Sequence, residues 1–430
     1  MTFGKMLRLM IGSMGLRLVG AGLGFLTQFV LARSFLPADV GMIFLTMSIA
    51  AVTSMVAAVG YPQLALTQLP RFYSLGLPRL VSAFHGAFLR DLVVACALVY
   101  GVGLLTAQFA PIDSASRLAI AFGTLSAIPS AFVRYNSAIA NSLRFYQLSF
   151  LPDFVVRPAL FLGYVLIALG LGVGLSLPWV LAAYVGSNVV VTVLMGAIVW
   201  TKRLRLSDWV AAQPALSAAL RKRSIALAIV SAVTVMFADI VTMIGGLLLP
   251  HDALAVLGLC VRLAGIAGFV IQSTQQFILP DLTEAVIKRE DHLASRLLMR
   301  LNLLSLLTLA AGLVFVIALG GPLLGLFGET YRNGHLLLVL LLIGQSIRAL
   351  SGMNQSLLSI GGKQVRTAGA CIVGLVIFVA SWMVLAPALG LLAAGVAVII
   401  AEFCWALMLA AQAQSLLGRR GDLLWLLTRR

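Results

Sequence analysis

Six ionisable side chains lie inside runs of sequence that are otherwise apolar: Arg17, Arg134, Asp239, Arg262, Arg348 and Glu402. An ionised group in hydrocarbon is costly to keep, so each is a functional hypothesis by default. The densest stretch is FADIVTMIGGLLLPHDALAVLGLCVRLAGIAGFVIQSTQQFILP, residues 237–280. It reads as two apolar helices joined by Leu249-Pro250-His251-Asp252, with Asp239 in the first and Arg262 in the second. A guanidinium offers a planar fork that grips two oxygens of a phosphate at once. A carboxylate in the same setting pairs with an arginine or takes up a coupling cation. The arginines outnumber the carboxylates, so the set points to an anionic ligand, with phosphate or diphosphate as the fitting chemistry.

Each of these readings has a plainer rival. An arginine near a span end can snorkel to the interface, and this suits Arg134 better than Arg17, Arg262 or Arg348. Asp239 and Glu402 can be structural partners of arginines, or can bind H+ or Na+ during transport. Gln272, Gln275 and Gln276 line the second half of the span that carries Arg262. They suit sugar hydroxyls, and they suit hydrogen bonds between helices equally well. No other cofactor is expected. His85, His251, His292 and His335 lack metal-ligand spacing, and no phosphate-binding glycine loop of the Walker type is present.

The chain of 430 residues is 61% hydrophobic and 10% charged, with a mean hydropathy of +1.07. That balance excludes a soluble globular domain. Repeated apolar runs of about 20 residues mark membrane-spanning helices. The net charge of +16 sits in short loops, which is the positive-inside pattern and not a nucleic-acid footprint. Cys96, Cys260, Cys371 and Cys404 all fall inside apolar runs and read as packing residues.

The expected fold is an all-α integral membrane protein with about twelve transmembrane helices in two six-helix lobes around a central cavity. The spans are expected near residues 7–32, 42–59, 84–109, 118–140, 152–171, 178–200, 225–249, 253–279, 297–319, 336–360, 368–389 and 391–416. The N-terminal lobe is residues 1–210, a cytoplasmic linker follows at 211–221, and the second lobe is 222–417. Residues 418–430 form a basic tail whose apolar centre suggests an interfacial helix. Lysine and arginine placement puts both termini in the cytoplasm. The halves repeat: Leu36-Pro37-Ala38-Asp39 and Leu249-Pro250-His251-Asp252 both join the first two helices of a half. With six helices per half, such repeats are parallel.

The turn Leu31-Ala32-Arg33-Ser34-Phe35-Leu36-Pro37-Ala38-Asp39-Val40-Gly41 resembles the A-R-x-L-x-P-x-x-x-G turn of the polysaccharide flippase family. Ala238-Asp239-Ile240, Leu249-Pro250 and Val261-Arg262-Leu263-Ala264 are similar to its span seven–eight hairpin. That family belongs to the superfamily that also holds the multidrug and toxic-compound extruders and the lipid II flippase. The resemblance implies export of a saccharide carried on a polyprenyl diphosphate across a bacterial inner membrane. It implies that Arg17 and Arg262 face the ligand, as arginines of spans one and eight do in the lipid II flippase, although that protein has more spans.

The expectation is therefore a flippase, not an enzyme, that moves a lipid-linked oligosaccharide through the bilayer by alternating access. Arg17, Arg262, Arg348 and Arg134 would bind the diphosphate, and a polysaccharide polymerase and export machinery would act downstream. The alternatives are a cation-coupled multidrug exporter of the same superfamily and a membrane-embedded glycan polymerase or ligase. The first needs acidic residues in its cavity, and the second usually carries a large outer loop, which this sequence lacks.

Overall fold

The computed structural model describes residues 3–143, 145–172, 174–203, 214–288, 290–361, 363–418 and 420–422. These residues are helical nearly throughout and form two compact units, Met1–Met243 and Ile244–Arg430. Residues 204–213, which include the first three of the expected linker at 211–221, and residues 423–430 of the expected tail lie outside the described residues.

The first unit opens with α1 (Phe3–Ser34) and α2 (Pro37–Ala57), then α3 (Tyr61–Ser74) and α4 (Pro78–Phe109). Next come α5 (Ser114–Leu125), α6 (Ala127–Ser142) and α7 (Tyr146–Leu151). A π-helical turn (Pro152–Val156) leads into α8 (Arg157–Gly170) and α9 (Leu177–Arg203). It ends with α10 (Pro214–Val235) and the start of α11 (Phe237–Leu248). Helix starts follow local chemistry. Proline stands at the start of α2, α3 and α4, where its missing N–H costs nothing. Asp113 caps α5, accepting from the backbone N–H groups of Ala115 and Ser116 at 3.0 and 3.3 Å.

Two buried clusters hold this unit together. One gathers Tyr61, Phe84, Phe88 and Tyr135 from α3, α4 and α6. Phe88 and Tyr135 stack at 3.6 Å, and Tyr61 meets Phe84 and Phe88 edge-on. The other joins Leu31, Ile43, Phe161, Val165 and Tyr184 from α1, α2, α8 and α9. Gly20 of α1 lies against the π-helical turn so closely that a Cβ there would come within 2.4 Å of the Phe154 carbonyl oxygen.

The second unit holds the rest of α11, then α12 (His251–Ile287), α13 (Asp291–Gly325), α14 (Glu329–Arg332) and α15 (His335–Leu350). It continues with α16 (Asn354–Ile360), α17 (Gln364–Leu389) and α18 (Leu392–Leu417). α18 is central, packing on α15, α16 and α17. Its buried alanines 393, 394, 397, 401, 410 and 413 bring those neighbours close. Residues 420–422 fold back into this unit and are not a free basic strand: Asn302 donates to the Gly421 carbonyl at 2.9 Å, and Asn354 accepts from its N–H at 2.7 Å.

Ten helical stretches among the described residues are long and apolar enough to cross a membrane. The bent pair 220–235 and 237–248 supplies another, and Leu18–Ser34 is a shorter apolar stretch. In chain order these match the twelve expected spans. Two details differ. The expected seventh span, 225–249, is not continuous: it breaks at Met236, and its halves diverge by 73°. Residues 61–74, between the second and third expected spans, also form a helix, α3, where no span was expected.

Candidate functional site

The first unit builds a polar cluster from five α-helices and the π-helical turn. Asp239 stands in the first turn of α11. The break at Met236 therefore moves it from mid-span to a helix start, where the positive end of the helix dipole favours a carboxylate. Ser48 of α2 donates its hydroxyl to Asp239 Oδ1 at 3.2 Å. Arg157, the first residue of α8, pairs with Asp153 at 3.3 Å and also interacts electrostatically with Asp239. It reaches Asn188 Oδ1 of α9 at 3.5 Å. Asn188 is fully buried; it also accepts from Ser130 of α6 at 3.2 Å and donates to the Tyr184 carbonyl at 2.9 Å. Arg134 of α6 lies in the same unit. Its Nε donates to Ser54 of α2 at 3.0 Å, and a terminal nitrogen meets the sulfur of Met236 at 3.7 Å.

Sequence reasoning missed Arg157 and Asp153. The signal was present as an acid and a base four residues apart at the start of the fifth span. At a span end that spacing reads as an ordinary interfacial pair. What changes it is the π-helical turn, a geometry that recurs at functional sites. With Asp153 and Arg157 counted, arginine in the first unit is partly offset by carboxylates.

The second unit builds a different arrangement. Arg348 of α15 and Glu402 of α18 form a two-pronged ion pair, with Arg348 Nε at 2.9 Å and a terminal nitrogen also bonded to Glu402 Oε1. Glu402 is only 3% exposed. The Arg348 guanidinium also sits over the Trp405 ring, 5.2 Å from its centroid. Glu402 Oε2 and Trp405 Nε1, one helical turn apart, have no hydrogen-bond partner among the described residues. Cys371 of α17 is buried close enough to interact with both charges.

Among the residues expected to bind diphosphate, Arg348 is thus engaged with Glu402, and Arg262 of α12 donates to its own helix at the Gly258 carbonyl, 3.1 Å. Arg134 and Asp239 fall in the first unit, and Arg262, Arg348 and Glu402 in the second. Arg17 is on α1, and Gln272 and Gln276 are on α12; their side chains lie outside the described residues. Gln275 is half-buried on α12.

No family model matches the sequence, and comparison with curated proteins finds no match. Solved structures do match. The chain is similar to a multidrug resistance MATE family transporter of the MOP superfamily in its inward-facing conformation. The TM-score is 0.77 at 13% identity, over 95% of this chain and 99% of that one. An outward-facing MATE transporter matches with a TM-score of 0.58 at 14% identity, over 96% of each chain. A MOP superfamily transporter from Pyrococcus furiosus, described as having a binding pocket of reverse polarity that suggests a different function, matches at 0.54 and 14% identity. That match covers 95% of this chain and 94% of the other. At such identities the likeness is one of fold: a multi-pass helical membrane protein with the architecture of the MATE transporters.

Proposed function

We propose that the chain is a cation-coupled exporter of amphipathic compounds that works by alternating access. The observation that carries the reading is the pair of membrane-embedded carboxylates, Asp239 and Glu402, on an architecture otherwise seen in MATE transporters in inward- and outward-facing states. Glu402 presents one buried oxygen without a hydrogen bond among the described residues, the kind of atom that takes up a proton or a cation. Its other oxygen stays with Arg348, so cation uptake at Glu402 weakens a buried ion pair and favours rearrangement around α15 and α18. The test is expression in efflux-deficient cells with a panel of toxic amphipathic compounds. Protection by the wild-type chain, lowered about tenfold or more by Glu402→Gln, supports exporter function; a tenfold loss corresponds to about 1.4 kcal/mol of coupling. Equal sensitivity with and without the wild-type chain at normal abundance would sink it.

A second reading is flipping of a polyprenyl-diphosphate-linked oligosaccharide across a bacterial inner membrane. It is favoured by Arg134, whose hydrogen bonds among the described residues go to the neutral groups of Ser54 and Met236, so that its charge can serve an anion. Arg17, Arg157, Arg262 and Arg348 also stand on membrane helices. A polymerase and export machinery would be its downstream partners. Deleting the chain in its native host and locating lipid-linked intermediates separates the two readings. Complete repeat units retained on the inner face support flipping. Drug hypersensitivity with normal intermediates supports the exporter.

A further inference from the structure

The sequence repeat makes α10–α11 the opening helix of the second half, because it precedes the turn at Pro250 as α1 precedes the turn at Pro37. The fold treats it otherwise. α10 packs on α2, α3 and α4, and the compact first unit extends to Met243. α11 then runs on, through a single unbroken helix, into the second unit.

α10 is fastened by apolar and polar contacts together: Leu220 is buried in the cluster of Tyr61, Phe84 and Phe88 with Leu227 packed against it, and a polar set stands beside them. Asp91 of α4 is 5% exposed and accepts hydrogen bonds from three elements. Tyr61 of α3 donates to Oδ2 at 2.8 Å. Arg221 of α10 donates through Nε to Oδ2 at 3.0 Å and through a terminal nitrogen to Oδ1 at 2.8 Å. Arg90, beside Asp91 on α4, donates to Oδ1 at 3.1 and 3.0 Å. The backbone has been cleared for the same contact. Gly60, at φ +74° between α2 and α3, lies so near α10 that a Cβ would stand 2.0 Å from the Ser224 carbonyl oxygen.

Two features of this contact suit release. Arg221 is 46% exposed, so on release its guanidinium rehydrates at little cost. Asp91 does not lose its last partners when Arg221 departs, because Arg90 and Tyr61 remain on it. Breaking a buried pair is expensive when it strands a charge, and here the stand-in partners avoid that.

We infer that Asp91, Tyr61 and Arg221 form a latch that holds α10 on the first unit in one state and releases it in another, with Arg90 as the partner that keeps Asp91 satisfied when the latch is open. The link between the two states and transport rests on the exporter reading; the latch itself does not.

The test uses the full chain in phospholipid nanodiscs, with the four native cysteines replaced by serine and spin labels at the exposed positions Ser74 on α3 and Lys222 on α10. Pulsed dipolar spectroscopy should resolve a short distance and a second one longer by about one helical turn, ~5 Å. Asp91→Asn, and independently Arg221→Lys, should raise the longer population about threefold or more. Arg90→Gln should act in the opposite direction, because opening then leaves Asp91 short of partners. Loss of packing alone would move all three variants the same way. If Asp91→Asn does not accumulate, Arg221→Lys and Arg90→Gln still carry the comparison. A distribution unchanged in the variants, or shifted alike by both arginine substitutions, overturns the latch. The predicted shifts in a chain that shows no efflux keep the latch and remove the exporter reading.

Discussion

Asp239 and Glu402 are made tolerable in the membrane by different means. Asp239 draws on a helix start, the Ser48 hydroxyl and the field of Arg157. Glu402 relies on one dedicated guanidinium, that of Arg348. Replacing Arg348 by alanine strands a buried carboxylate and should cost about 3–5 kcal/mol. The expected result is a marked drop in the apparent melting temperature of the purified protein, most of it recovered in Arg348→Ala/Glu402→Gln. Ser48→Ala removes one hydrogen bond among several and should cost only about 1 kcal/mol in the same measurement. As charges in apolar runs, Arg348 and Glu402 were legible in the sequence. Their pairing was not, because 54 residues separate them and only the packing of α15 on α18 joins them. Counting charges without their partners did not show which arginines are engaged, and it passed over the Asp153–Arg157 pair altogether.

The helices themselves were easier to read than their interruptions. Proline and the L-P-x-D turns announce the starts of α2 and α12, and both carry an acid in the first turn, as the helix dipole favours. The break between α5 and α6 at Ser126 does have a proline beside it, Pro129 in the first turn of α6, but the apolar run continues through it and reads as one span. Close packing at this level is set by single atoms. Gly123 of α5 lies against α2 with room for no side chain: a Cβ would be 2.7 Å from Ile49 Cγ2 and 3.1 Å from the Thr46 carbonyl oxygen. Gly123→Ala should therefore push α5 off α2 and cost about 1–3 kcal/mol as overpacking, read as lowered thermal stability. The same change at Gly86, where the space is open, should cost much less.

For the molecule as a whole, hydropathy was enough to give class and span order, because a bilayer leaves few alternatives to the helix. Sidedness is a separate matter of charge. The basic loops predict that a single cysteine at Gly174 or Glu329 reacts with a membrane-impermeant thiol reagent in intact cells. One at Leu75 or Lys363 should react only after permeabilisation; all four positions are exposed. The opposite pattern would invert the orientation. Where one half ends and the next begins was harder to see. A repeat in sequence records ancestry, whereas compactness records present contacts, and for α10 the two disagree.

The π-helical turn at Pro152–Val156 has a consequence for how this chain tolerates genetic change. Such a turn is one residue longer than the α-helical path between the same ends. Excising Val155 would let the segment relax to an ordinary helix, with no apolar span shortened by more than a residue. It would leave Asp153 and Arg157 three residues apart, a spacing that on an ordinary helix still sets an acid and a base on one face. A one-codon deletion here should therefore spare membrane insertion, abundance and the pairing of Asp153 with Arg157. Most substitutions in the same five residues would leave the register, and so that alignment, intact.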